Sequence, residues 1–258
     1  MDIALIPPTH LLYTAAERHV HMVIPEGLKS SVYRTFYKVL SMRGDTTLLL
    51  DNGAFEAIGP QGPLSDDQLI QAIFDFNIDR FVLPDFLGDI EKTLVAAERF
   101  LHVWNLHQQT IEQKPITFIA PVQGSTRTQL EACINRYILL EEEFEIPLTF
   151  GLPRWIADEI DRHIRLSLAD YIASRFPNNI HLLGLSPAWA NEVQYHNQNV
   201  RSMDTSAPYV WAIAGLRLGI DERPAQRPDN YFAYDCRDVD MELVNRNIAM
   251  LDGWANGS

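Results

Sequence analysis

Leu48-Leu49-Leu50-Asp51-Asn52-Gly53-Ala54-Phe55 runs an apolar strand into a carboxylate, then a small-residue turn, then an aromatic ring. The same order recurs: Phe81-Val82-Leu83-Pro84 ends on Asp85, Ile119-Ala120-Pro121-Val122 on Gln123-Gly124, and Val200-Arg201-Ser202-Met203 on Asp204. Between these runs lie stretches of helical period. Ser65, followed by Asp66 and Asp67, reads as the cap of a helix with Leu69, Ile70, Ile73 and Phe74 on one face. Further helices are expected over residues 30–42, 90–113, 128–143, 157–175, 188–196 and 239–251, with strands at 20–24, 116–122, 148–150, 181–185 and 200–203 and a loop over 215–229. Strands alternating with helices of ten or more residues imply right-handed βαβ units and a parallel sheet. Seven or eight such repeats close more readily into a barrel than into an open sheet with two edges to cover. The expected fold is α/β, a TIM-like (β/α)8 barrel, with residues 1–258 as a single domain. In such a barrel the C-terminal strand ends face one mouth, so polar groups distant in sequence can meet one ligand there.

Composition narrows the function. With 258 residues, 47% of them hydrophobic, the chain can bury a large core. No run reaches the roughly eighteen apolar residues of a membrane span, and Met1-Asp2-Ile3-Ala4 lacks a basic leader, so a soluble cytoplasmic protein with no membrane contact is expected. Cys133 and Cys236 are too few for a disulfide framework or a cysteine-rich zinc site and read as reduced thiols. A net charge of −13 excludes loose attraction to nucleic acid, which depends on lysines and arginines displacing counterions. Phosphate contact must then be local, and three basic clusters are candidates: Lys29, Arg34, Lys38 and Arg43; Arg154, Arg162, His163 and Arg165; and Arg217, Arg223 and Arg227. Each also reads as a solvated face. The eight histidines show no metal-ligand spacing, so no metal and no cofactor is expected.

Each strand-end residue has a plainer reading. Asp51 before Asn-Gly suits a turn, Asp85 and Asp204 suit helix caps, Gln123-Gly124 suits a strand-to-helix turn, and Phe55 suits the core.

Taken in order, Asp51-Asn52-Gly53-Ala54-Phe55, Asp85, Val122-Gln123-Gly124-Ser125, Gly151-Leu152, Leu183-Gly184-Leu185 and Met203-Asp204 resemble the signature of the tRNA-guanine transglycosylase superfamily over residues 48–208. Asn52, Ala54 and Ser125 depart from the family's Ser, Gly and Gly, and Thr205-Ser206-Ala207-Pro208 from the segment after its nucleophile. Members acting on tRNA also carry a Cys-x-Cys-x-x-Cys and His zinc subdomain, which two distant cysteines cannot form. The chain therefore looks most like the zinc-less DpdA group, phage and bacterial enzymes that insert 7-deazaguanine bases into DNA.

The resemblance implies exchange of guanine in DNA for a free 7-deazaguanine of the preQ0 or preQ1 type. Asp204 would be the nucleophile of a covalent sugar intermediate, its charge kept by backbone amides near Thr205 and Ser206, and Asp51 the proton shuttle. Asp85 would accept from the guanine edge, Gln123 and Gly151 would donate, Phe55 would stack, and Gly124, Leu152 and Leu183 would complete the base pocket. The target base must be extruded from its stack or taken from a single strand. Alternatives are exchange in tRNA, a small-molecule nucleoside glycosidase, and a catalytically silent base-binding barrel. An accessory protein or a homodimer partner could present the nucleic acid.

Overall fold

Burial makes the apolar runs strands: Leu48 is 1% exposed and Leu49 and Leu50 are fully covered, as parallel strands flanked by helices require. The computed structural model describes residues 1–54, 64–108, 114–186, 191–196, 200–222 and 225–257. Its strands are β1 (Asp2–Leu5), β2 (Val20–Val23), β3 (Thr47–Leu50), β4 (Arg80–Val82), β5 (Thr117–Pro121), β6 (Leu148–Pro153), β7 (Ile180–Leu183) and β8 (Ser202–Thr205). They close in chain order into a parallel barrel, a TIM-like (β/α)8 fold. The helices are α1 (Ser31–Leu40), α2 (Asp66–Asp75), α3 (Ile90–Gln108), α4 (Arg127–Phe144), α5 (Arg162–Ala173), α6 (Val193–His196), α7 (Ala207–Ile213) and α8 (Met241–Asn256). Among the described residues no helix is long and apolar enough to cross a membrane.

The chain forms two compact units, Met22–Pro153 and Met1–His21 with Arg154–Ser258. In the first, β3 to β6 run in parallel register, with Leu50 beside Phe81, Phe81 beside Phe118 and Pro121 beside Gly151. Phe81, Phe100, Phe118 and Trp104 pack edge-on or tilted, with centroids 4.7 to 6.4 Å apart. α2 starts as expected: Ser65 accepts from the Gln68 amide while the Gln68 side chain accepts from the Ser65 amide, a reciprocal cap worth about 1 kcal/mol.

In the second unit β7, β8 and β1 are adjacent, with His181 beside Ser202, Leu182 beside Met203, and Asp204 beside Ala4. Buried Asn247 of α8 ties down the segment after α7: it accepts from the Leu218 amide at 2.8 Å and donates to the Pro208 and Leu216 carbonyls at 3.2 and 3.1 Å. Arg18 and Asp252 add a two-pronged ion pair at 2.7 and 2.8 Å.

Several elements differ from the sequence reading. β1 was not expected, because its four residues lead straight into Ile6-Pro7-Pro8. Strand β6 continues through Gly151 to Pro153, and β8 starts at Ser202 and includes Asp204. The helix expected over 157–175 is broken: a π-helical turn spans Ile156–Asp161, and Asp161 then turns extended to cap α5 by accepting from the His163 amide at 2.7 Å. α6 holds only Val193–His196 of the 188–196 span, and α7 was unforeseen, with Pro208 in its first turn. Residues 109–113 and 188–190 lie outside the described residues.

Candidate active site

In the first unit, Asp51 directly follows β3, half-buried, with its amide donating to the Val23 carbonyl at 2.9 Å. Asn52 next to it is buried and makes three bonds. Its Oδ1 accepts from the Ala54 amide at 2.7 Å, and its Nδ2 donates to the Leu83 carbonyl at 2.6 Å and to Asp85 Oδ1 at 2.8 Å. The first contact is an Asx turn. Gly53 takes φ +76°, in the left-handed region glycine tolerates best.

Asp85 lies three residues beyond β4 and is not a helix cap. That role falls to Asp89, whose Oδ1 accepts from the Lys92 amide at 3.0 Å. The two Asp85 oxygens are divided between two side-chain amides: Oδ1 takes Asn52, and Oδ2 takes Gln123 Nε2. Gln123 is fully buried, and its Oε1 accepts from the Gly88 amide at 3.0 Å. The Gln123 amide therefore joins Asp85 to the Gly88 turn, with one of its two N–H donors spent on the carboxylate. Burial pushes the Asp85 carboxyl up to about 6, against the lowering effect of the Asn52 and Gln123 bonds.

Gly124 has φ +151°, and a Cβ there would sit 2.8 Å from Gln129 Cβ and 3.0 Å from the Leu130 amide, so the turn into α4 has no room for a side chain. Gly151 and Leu152 lie buried within β6, where the Gly151 carbonyl accepts from the Val122 amide at 2.8 Å. Phe55 lies outside the described residues. Cys133, whose Sγ accepts from the Gln123 backbone amide at 3.4 Å, is buried, and desolvation raises its thiol to about 12.

In the second unit, Asp204 is 8% exposed within β8. Its Oδ1 receives two donors, His181 Nε2 at 3.1 Å and the Gly184 amide at 3.2 Å. These come from β7 and the turn after it, not from Thr205 and Ser206. Thr205 instead uses its hydroxyl to accept from the Ala207 amide at 3.0 Å, at the entry to α7. No hydrogen bond to Asp204 Oδ2 is found among the described residues. His181 is fully buried, and its Nδ1 lies 2.9 Å from Ser202 Oγ. Leu183 closes β7, half-buried, with its carbonyl accepting from the Arg154 amide at 2.8 Å. Gly184 takes φ +74°, and the Arg154 side chain lies over it, 3.2 Å from where a Cβ would stand.

Arg165, a candidate for phosphate contact from sequence, does not serve there. It is fully buried, donating to Glu192 Oε2 at 2.8 Å and to the Gly184 carbonyl at 2.9 Å. His196 lies 3.0 Å from the other Glu192 oxygen. Arg165 thus fixes the same glycine whose amide holds Asp204.

Two participants were missed by the sequence reading. Asn52 was read as part of a turn and as a departure from the family's Ser, and His181 was set aside with the other histidines. Their signal was a polar side chain at a buried position beside a strand-end carboxylate. Among the described residues no group of three or more His, Cys, Asp or Glu side chains could hold a metal ion. No family model matches the chain, and no curated protein matches it.

Proposed function

We propose that the chain is a base-exchange transglycosylase that replaces guanine in DNA with a free 7-deazaguanine through a covalent Asp204–sugar intermediate. The observation that carries this reading is the asymmetry of Asp204. One oxygen is pinned by His181 and the Gly184 amide, and the other has no hydrogen bond among the described residues, at the C-terminal end of a barrel strand. A carboxylate that must attack C1′ needs one such oxygen held in place and one available.

In the proposed reaction Asp204 Oδ2 attacks C1′, and the bond from C1′ to guanine N9 breaks with its electron pair going to the base. Asp51 supplies the proton that the departing base takes up. The incoming 7-deazaguanine returns a proton to Asp51 as its N9 attacks C1′, and Asp204 leaves as a carboxylate. Two displacements retain the sugar configuration. Asp85, ionised above a pH of about 6, accepts from the N1–H and amino edge shared by guanine and 7-deazaguanine, while Gln123 and Asn52 hold it in place. The resemblance assigns Gly124, Gly151, Leu152 and Leu183 to the base pocket and Phe55 to stacking on the base.

The test is incubation with labelled guanine and, in separate arms, duplex DNA, single-stranded DNA and tRNA, followed by nucleoside mass spectrometry. Label in either DNA arm supports the proposal, and label in tRNA alone moves the substrate to RNA. The net charge of −13 favours a second reading, a glycosidase acting on free nucleosides. Hydrolysis of guanosine or deoxyguanosine with no label in any polymer would replace exchange with that activity.

A further inference from the structure

We propose that His181 is a positioning residue that governs how fast the covalent Asp204–sugar intermediate breaks down, and that Ser202 locks its ring in the state this needs. The inference rests on the transglycosylase reading and adds to it a named control over one of its two steps.

The argument starts from register. His181 of β7 stands beside Ser202 of β8, and Asp204 lies two residues further along β8, so strand alternation puts Ser202 and Asp204 on one face. His181 bridges them, with Nδ1 2.9 Å from Ser202 Oγ and Nε2 3.1 Å from Asp204 Oδ1. An ionised carboxylate only accepts, so the proton between His181 and Asp204 belongs to Nε2. A neutral ring then has a bare Nδ1, and the Ser202 hydroxyl can donate to it. The ring is fully buried, with both nitrogens within hydrogen-bond distance of protein groups in this arrangement.

The consequence follows from where charge moves. When Oδ2 bonds to C1′, Asp204 becomes an ester and loses its negative charge. When the incoming base attacks C1′, the bond from C1′ to Oδ2 breaks and its electron pair returns to the carboxylate. Two N–H donors on Oδ1, from His181 and Gly184, bind the carboxylate more strongly than the ester carbonyl. They therefore stabilise the transition state of breakdown relative to the ester, as donors aimed at a developing oxyanion do. They also hold the free carboxylate back from attack. An exchange enzyme needs this balance, because its nucleophile must also be a good leaving group. Arg165 supports the arrangement by holding the Gly184 carbonyl at 2.9 Å.

The experiment measures the adduct itself. The protein is incubated with a guanine-containing oligonucleotide, quenched in denaturant at timed points, and the adduct fraction is read by intact-mass spectrometry before and after a chase with free guanine. In His181→Leu the adduct should still form, and its decay after the chase should slow about tenfold or more, the loss expected for a hydrogen bond to a charged group. His181→Gln, which keeps an N–H donor, should recover most of the wild-type decay. Equal decay in His181→Leu and wild type overturns the proposal, and so does a Gln variant as slow as Leu, which would reduce His181 to packing. If thermal unfolding shows that His181→Leu does not fold, Ser202→Ala decides: slower decay supports the tautomer lock and unchanged decay overturns it. A wild-type protein that gives no adduct with DNA or RNA removes the transglycosylase reading itself, an outcome distinct from an adduct whose lifetime ignores residue 181.

Discussion

Replacing Asp85 with Asn tests whether this carboxylate is held against its own charge. Burial raises it from 3.8 to about 6, a preference for the neutral form of roughly 3 kcal/mol at about 1.4 kcal/mol per tenfold. Its partial contact with solvent trims that to roughly 2 kcal/mol. The folded state therefore binds a proton more tightly than the unfolded chain does. Between a pH of about 3.8 and about 6 it carries more protons on this group, so stability falls as pH rises through that window. Below it both states are protonated and the effect vanishes, while above it the full cost of about 2 kcal/mol is present. Asp85→Asn removes the titration, although its amide turns one N–H toward a neighbouring donor, Asn52 or Gln123. That mismatch adds a pH-independent offset of about 1 to 3 kcal/mol.

Urea unfolding of both proteins from pH 4 to 7.5 isolates the group, because titrations common to both cancel in the difference. The wild type should lose about 2 kcal/mol relative to Asp85→Asn across the window, with a midpoint near 5. A difference that stays flat from pH 4 to 7.5 would show that the carboxylate is not desolvated as its surroundings indicate. A difference that grows in favour of the wild type with rising pH would mean that the amide bonds outweigh burial, reversing the assigned cause.

Three further outcomes follow from the same geometry. Asn52→Ala removes one of the two amides holding Asp85, so the upper edge of the Asp85 window should move up by about one pH unit, and its midpoint by about half a unit, in the same titration. An unmoved midpoint would separate Asn52 from the carboxylate. Asp204→Ala should abolish exchange in the nucleoside assay while leaving free-base binding by calorimetry within about twofold, since the proposed base contacts come from other strands. Loss of base binding in the folded variant contradicts that division of roles. Arg165→Met leaves Glu192 buried without its main partner and should cost about 3 to 5 kcal/mol in urea unfolding, with much of it restored by the double variant Arg165→Met, Glu192→Leu. If the double variant is no more stable than the single one, the loss lies in packing and not in the stranded charge.

The barrel was legible because its grammar is local. An apolar run with a polar residue at its end needs nothing beyond its neighbours to read as a buried strand opening at a turn, and Leu48 to Asp51 and Phe81 to Asp85 behave that way. β1 escaped because Asp2–Leu5 is short and Pro7 and Pro8 follow closely, which resembles a leader to a turn. The site was legible only as far as single residues carry their own meaning. Asp204 announces itself as a carboxylate at a strand end, but what holds it depends on which residue of β7 lies beside which residue of β8. That register is set by barrel closure and cannot be read from either strand alone. The donors were therefore sought along the chain at Thr205 and Ser206, when the pairing of His181 with Ser202 had placed them across the sheet. Gln123 teaches the same lesson in reverse: its amide looked available because nothing nearby in sequence competes for it, and its partner Asp85 stands on the neighbouring strand's exit. Parallel strands put sequence-distant residues side by side, so in this fold the first partners of a strand-end carboxylate are best sought one strand over, among polar residues that the apolar pattern leaves unexplained.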